Sequence, residues 1–104
     1  TPDGAATAVR LTDELAPLGD VATKKMFGGY GVFADGVMFA LVDPAGTAYL
    51  RADESTAPTY EAGGSQPHGR MPYWQIPQDI WADQARLLEW AREALAIARA
   101  AKKK

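Results

Sequence analysis

A chain of 104 residues has room for one hydrophobic core and buries roughly two-thirds of the surface that its unfolded form would expose. With 47% hydrophobic and 23% charged residues it has the make-up of a folded protein rather than a disordered one. A net charge of −2 argues against a surface built throughout to neutralise phosphates, and the lack of cysteine removes disulfides, thiolate nucleophiles, Cys-based zinc sites and iron–sulfur clusters together.

Ala8, Val9, Leu11, Leu15, Ala16 and Leu18 recur at roughly helical spacing, which predicts an amphipathic helix from Ala6 to Leu18, tightened near its end by Pro17 and closed by Gly19-Asp20. Residues 21–51 carry β-branched and aromatic runs broken by turn chemistry, and read as a three-stranded antiparallel meander. Asp35-Gly36 suits a type I′ hairpin that sets Ala34 opposite Val37, and Asp43-Pro44-Ala45-Gly46 suits a type I turn. Asp53 is placed to N-cap a short helix reaching about Ala62, limited in regularity by Pro58 and ended by Gly63-Gly64.

After a loop over Gly63–Arg70, the stretch Met71-Pro72-Tyr73-Trp74-Gln75 reads as a further strand at a sheet edge, since Pro72 cannot donate a ladder bond. The last element is the clearest. Leu87, Leu88, Ala91, Ala94, Leu95 and Ala98 form one stripe opposite Arg86, Glu89, Arg92, Glu93 and Arg99, with Asp83 as the N-cap and Lys102-Lys103-Lys104 against the negative end of the helix dipole. Residues 1–104 thus read as a single domain of the α+β class: an antiparallel sheet of about four strands, with the N-terminal and long C-terminal helices packed on one face.

The run Lys24-Lys25-Met26-Phe27-Gly28-Gly29-Tyr30-Gly31-Val32-Phe33, followed by Asp35-Gly36 and Met38-Phe39-Ala40-Leu41-Val42, resembles the opening of the TfoX N-terminal domain family. Tyr49-Leu50-Arg51-Ala52-Asp53, Met71-Pro72-Tyr73-Trp74-Gln75-Ile76-Pro77 and Leu87-Leu88-Glu89-Trp90-Ala91 continue the resemblance in family order. It implies either a regulatory domain of the kind found in natural-competence regulators, whose full-length members carry a second, C-terminal domain, or one of the family's small stand-alone proteins of unassigned role. The Gly63–Arg70 loop departs from the pattern by being short and by lacking an aromatic after Pro67.

No residue set composes a catalytic, cofactor or metal centre. Gly28-Gly29-Tyr30-Gly31 is not followed by the Lys-Ser/Thr pair or the helix of a phosphate loop, and reads instead as a bulge or a sharp twist. A small-ligand groove near Gly28-Gly29 would need a concave apolar pocket there. His68 is the only histidine and has no metal-ligand spacing around it, while Ser55 and Ser65 have no evident base.

Two surfaces remain. Trp90 and Ile97 fall at the border of the apolar stripe, which together with the Tyr73-Trp74 edge strand makes a candidate surface for a regulatory protein partner or a second copy of the chain. Lys24, Lys25, Arg51 and Arg70 form a candidate basic patch for nucleic acid, disfavoured by the acidic overall balance. Thr1-Pro2-Asp3-Gly4 shows no secretory signal and no run approaches the ~18 apolar residues of a membrane span, so a cytoplasmic location without a membrane partner is expected.

Overall fold

The computed structural model describes residues 4–26, 29–67 and 72–102. Helix α1 runs over Gly4–Glu14 and is followed by a 3-10 turn at Ala16–Leu18, where Pro17 occupies a position that lacks a helical partner anyway. Ala8, Leu11 and Leu15 make its buried side, whereas Val9, expected in that stripe, is 62% exposed. Val9 lies only one residue past Ala8, about 100° round the helix, and so turns to solvent.

Strands β1 (Val21–Met26), β2 (Gly29–Ala34), β3 (Val37–Val42), β4 (Ala48–Arg51) and β5 (Tyr73–Gln75) form one antiparallel sheet in the order β1-β2-β3-β4-β5. The sheet therefore has five strands rather than about four, with four of them inside residues 21–51. The stretch before Asp35-Gly36, expected to hold one strand of the meander, holds two, and the exposed Ala22-Thr23-Lys24-Lys25 of β1 has no apolar alternation to mark it off as a strand of its own. It is held instead by pairing, from Val21 opposite Ala34 to Met26 opposite Gly29.

The Asp35-Gly36 hairpin forms as its residues dictate: φ is 53° and 78° at the two positions, and Ala34 pairs with Val37. The next turn is closed by the Gly46 N–H donating to the Asp43 carbonyl at 3.0 Å, and the Thr47 N–H donates to the Asp43 carboxylate at 2.8 Å. A β-bulge lies between these turns. Val32 faces Ala40 and Phe33 faces Met38, which leaves Phe39 without an opposite residue on β2.

The bulge expected at the glycines is thus at Phe39, and Gly29 serves another purpose. A Cβ there would collide with the Val42 carbonyl oxygen and crowd Asp43, so this glycine lets the start of β2 lie against the backbone that leaves β3. Gly28 and Phe27 lie outside the described residues.

One row of the ladder, Val32, Ala40 and Leu50, is wholly buried beneath α1 and the long helix α4 (Gln84–Lys102), which contributes Leu87, Ala91, Ala94, Leu95 and Ala98. The small residues on α4 let it lie close to β3 and β4. The adjacent row crosses the opposite face as Lys24, Gly31, Leu41, Tyr49 and Gln75. There the Tyr49 hydroxyl donates to the Asp43 carboxylate at 3.3 Å, and burial followed by that negative charge raises the phenol above its ordinary pKa.

Asp53 caps as expected, but one turn earlier. Its carboxylate accepts from the Ser55 and Thr56 N–H groups, and Thr56 occupies the N-cap of helix α2 (Ala57–Ala62), with Pro58 harmless in the first turn. The Ser55 hydroxyl at 2.6 Å is the main reason that the Asp53 carboxyl is held below its usual range. Helix α3 (Gln78–Trp81) then leads to Asp83, whose carboxylate accepts from the N–H groups of Ala85 and Arg86 at 3.1 and 3.3 Å. Asp83→Ala should cost about 1 kcal/mol of stability, measured by urea unfolding, because two free amides at the start of α4 lose their acceptor.

Candidate functional site

Three aromatic side chains meet where α2, β5 and α4 come together. Tyr60, the one buried residue of α2, meets the Trp90 ring edge-on at 4.7 Å between centroids and the Trp74 ring at 6.5 Å. Trp74 and Trp90 are half-buried, so each offers one side to Tyr60 and keeps the remainder toward solvent. Ile97, also half-buried, follows Trp90 by two helical turns and so occupies the same side of α4.

Beside Trp90 is a cavity of about 300 Å³ lined by Thr56, Thr59, Tyr60, Trp90 and the carboxylates of Glu89 and Glu93. Burial first, then the charge of Glu93, pushes the Tyr60 hydroxyl far above the ordinary phenol range, so it stays protonated and can donate. No ion pair reaches Glu89 or Glu93 among the described residues. The corner therefore combines an aromatic platform with unpaired negative charge, an arrangement suited to an aliphatic or cationic side chain from outside.

Of the expected partner surface, then, Trp74 and Trp90 are brought together through Tyr60. Tyr73 is not available: it is 4% exposed, and its hydroxyl lies 3.5 Å from the Met38 carbonyl. Alternation along β5 turns it away from Trp74, a consequence of the strand geometry. The outer edge of β5 is also occupied, since the Gln75 N–H donates to the Gln66 carbonyl and Pro67 bridges to Trp74. Strand addition at Tyr73-Trp74 is blocked there by the chain itself.

Of the candidate basic patch, Lys24, Lys25 and Arg51 lie among the described residues, and these three are not gathered at one point. Lys24 and Lys25 are neighbours on β1 and point to opposite faces, and β2 and β3 separate them from Arg51 by about 14 Å at normal strand spacing. Lys24 also shares a cavity with Asp20 and Asp35, which dilutes its charge. Arg51 is half-buried near the Tyr73 ring, and Arg70 lies outside the described residues, as does His68.

The serines have structural surroundings. The Ser55 hydroxyl is committed to Asp53, and the Ser65 hydroxyl is buried with no hydrogen-bond partner. Among the described residues no three metal-ligating side chains gather, and no helix is long and apolar enough to cross a membrane. Sequence reasoning missed Tyr60, the residue that joins the two tryptophans. Its signal was an aromatic two residues after Pro58, the one large apolar side chain of the short helix.

This architecture is that of a small α+β domain: an antiparallel meander with two helices on one face and an aromatic corner at its rim. A profile of the TfoX N-terminal domain family matches residues 13–98, and the chain belongs to that family. It is also similar to protein Sxy of Escherichia coli (strain K12), with 29% identity over 91 residues. The match covers 78% of this chain and 42% of Sxy, so the chain spans less than half the length of that relative.

Proposed function

We propose that the chain is a non-enzymatic regulatory or adaptor domain that acts through protein contacts in the control of natural competence. The observation that carries this reading is the half-buried Trp90, seated on Tyr60 and flanked on its own helix by two carboxylates without cationic partners. A tryptophan held rigidly at the border of a core offers a large contact area at little entropic cost, which is why such residues anchor interfaces. Family membership supports a regulatory role, and the scattering of Lys24, Lys25 and Arg51 weighs against a nucleic-acid module.

The test is light scattering on the eluting protein, alone and with a DNA duplex at low and moderate salt, joined to affinity capture of partners by the wild type and by Trp90→Ala. DNA is expected to leave elution unchanged, and Trp90→Ala to lose partners that Arg92→Ala retains. Salt-sensitive co-elution with DNA, or an unaltered partner set for Trp90→Ala, would overturn the proposal.

A further inference from the structure

Glu89 and Glu93 lie one turn apart on the same flank of Trp90, separated by about 6 Å along α4. Each is more than a turn from either end of this 19-residue helix, beyond the reach of its dipole. The nearby cations do not answer their charge. Arg86, one turn before Trp90, is paired with Asp79 at 3.4 Å. Arg92, three residues after Glu89, makes no ion pair with it and projects about 160° away from Trp90 round the helix. The other walls of the corner, α2 and β5, carry neither lysine nor arginine, and α2 adds Glu61.

The corner also holds a polar group that the fold does not use. Tyr60 is 1% exposed, yet its hydroxyl has no hydrogen-bond partner among the described residues. Glu93 shares the cavity wall with Tyr60, and its charge contributes to the raised pKa of the phenol, which sets the hydroxyl on the cavity side. An apolar side chain entering here would cover the hydroxyl and both carboxylates without satisfying them, at a cost in desolvation. A cation satisfies all three. Its N–H groups donate to the carboxylates and to the Tyr60 oxygen, while its charge lies against the half-buried Trp90 ring.

We propose that the cavity of about 300 Å³ beside Trp90 receives an arginine side chain of a partner protein. Arginine suits the corner better than lysine, because a planar guanidinium stacks on an indole while its several N–H groups reach two acceptors a turn apart. An ammonium is a single point of charge. The methylene stem of the arginine has the Trp90 ring and Thr59 to lie against. The inference rests on the reading of Trp90 as a protein-contact anchor, and adds the chemistry of what it anchors.

The experiment follows the Trp90 indole N–H signal by NMR in ¹⁵N-labelled protein, assigned by its loss in Trp90→Phe. Blocked tripeptides with arginine, lysine or leucine between two glycines are titrated separately at constant ionic strength. The arginine peptide is expected to move the signal saturably and at lower concentration than the lysine peptide, with the leucine peptide without effect over the same range. Glu89→Gln and Glu93→Gln together, both at exposed positions, should weaken the arginine peptide roughly tenfold, and added salt should weaken it as well.

A signal that the arginine peptide does not move, equal or tighter saturation by the lysine or leucine peptide, or unchanged affinity in the double variant would overturn the proposal. Partner capture separates its failure from that of the reading beneath it. Partners lost by Trp90→Ala but kept by the double variant would sink the arginine site alone, whereas partners kept by Trp90→Ala would sink the protein-contact reading and the arginine site with it.

Discussion

Gly29→Ala is expected to lower the free energy of unfolding by about 3 kcal/mol, seen as a fall in the urea midpoint with little change in slope. The added methyl meets the Val42 carbonyl oxygen, with the Asp43 Cα and carbonyl carbon 3.1 and 3.2 Å away. All three are backbone atoms, so no rotamer change relieves the crowding. Displacing Asp43 would also disturb its hydrogen bonds to Thr47 and Tyr49, carrying the damage into the turn before β4. A loss under about 0.5 kcal/mol, the range of an ordinary surface substitution, would show that β2 and the end of β3 do not lie this close.

Phe39→Ala should have the larger effect, about 4 kcal/mol by the same measurement, because a fully buried ring is removed from a core that cannot collapse around the space. Phe39 is also the bulge residue of β3, where the backbone is fixed by pairing on either side. Phe39→Leu keeps most of the volume and should cost under about 1.5 kcal/mol. Equal losses for the two variants would mean that the bulge tolerates only an aromatic, not that the core needs the volume.

The parts of this fold that were legible in the sequence are those in which local chemistry and tertiary packing agree. Asp35-Gly36 dictates its own hairpin, Asp83 its own cap, and the stripe from Leu87 to Ala98 its own buried face. Strand β1 was not legible as a strand separate from β2 because its structure comes from that pairing: Lys24 and Lys25 have no strand preference that outweighs their charge, and the ladder holds them extended. The glycine run announced an unusual backbone but not which one. The close approach at Gly29 depends on Val42, thirteen residues along the chain and visible only once β2 and β3 pair.

The candidate site shows the same division. Trp90 at the border of α4 could be placed from helical periodicity, and it is half-buried as that position requires. Its partnership with Trp74 could not, because it runs through Tyr60 on a different helix. Tyr73 was grouped with Trp74 by adjacency, yet adjacent strand residues face opposite ways, and the buried Tyr73 ends beside Arg51 instead. Lys24 and Lys25 show the same effect, since neighbours on a strand alternate between its two faces.

Strands β2, β3 and β4 each pair with the one before it in the chain, so these three pairings close over short connections and need little search. The pairing of β4 with β5 is different, because α2 and the loop after it intervene between Arg51 and Tyr73. The sheet can thus assemble hairpin by hairpin up to β4, while β5 must wait for a longer loop to close. Trp74 travels with β5, so the aromatic corner is completed late in folding, and its fluorescence would report the last step of assembly rather than the first.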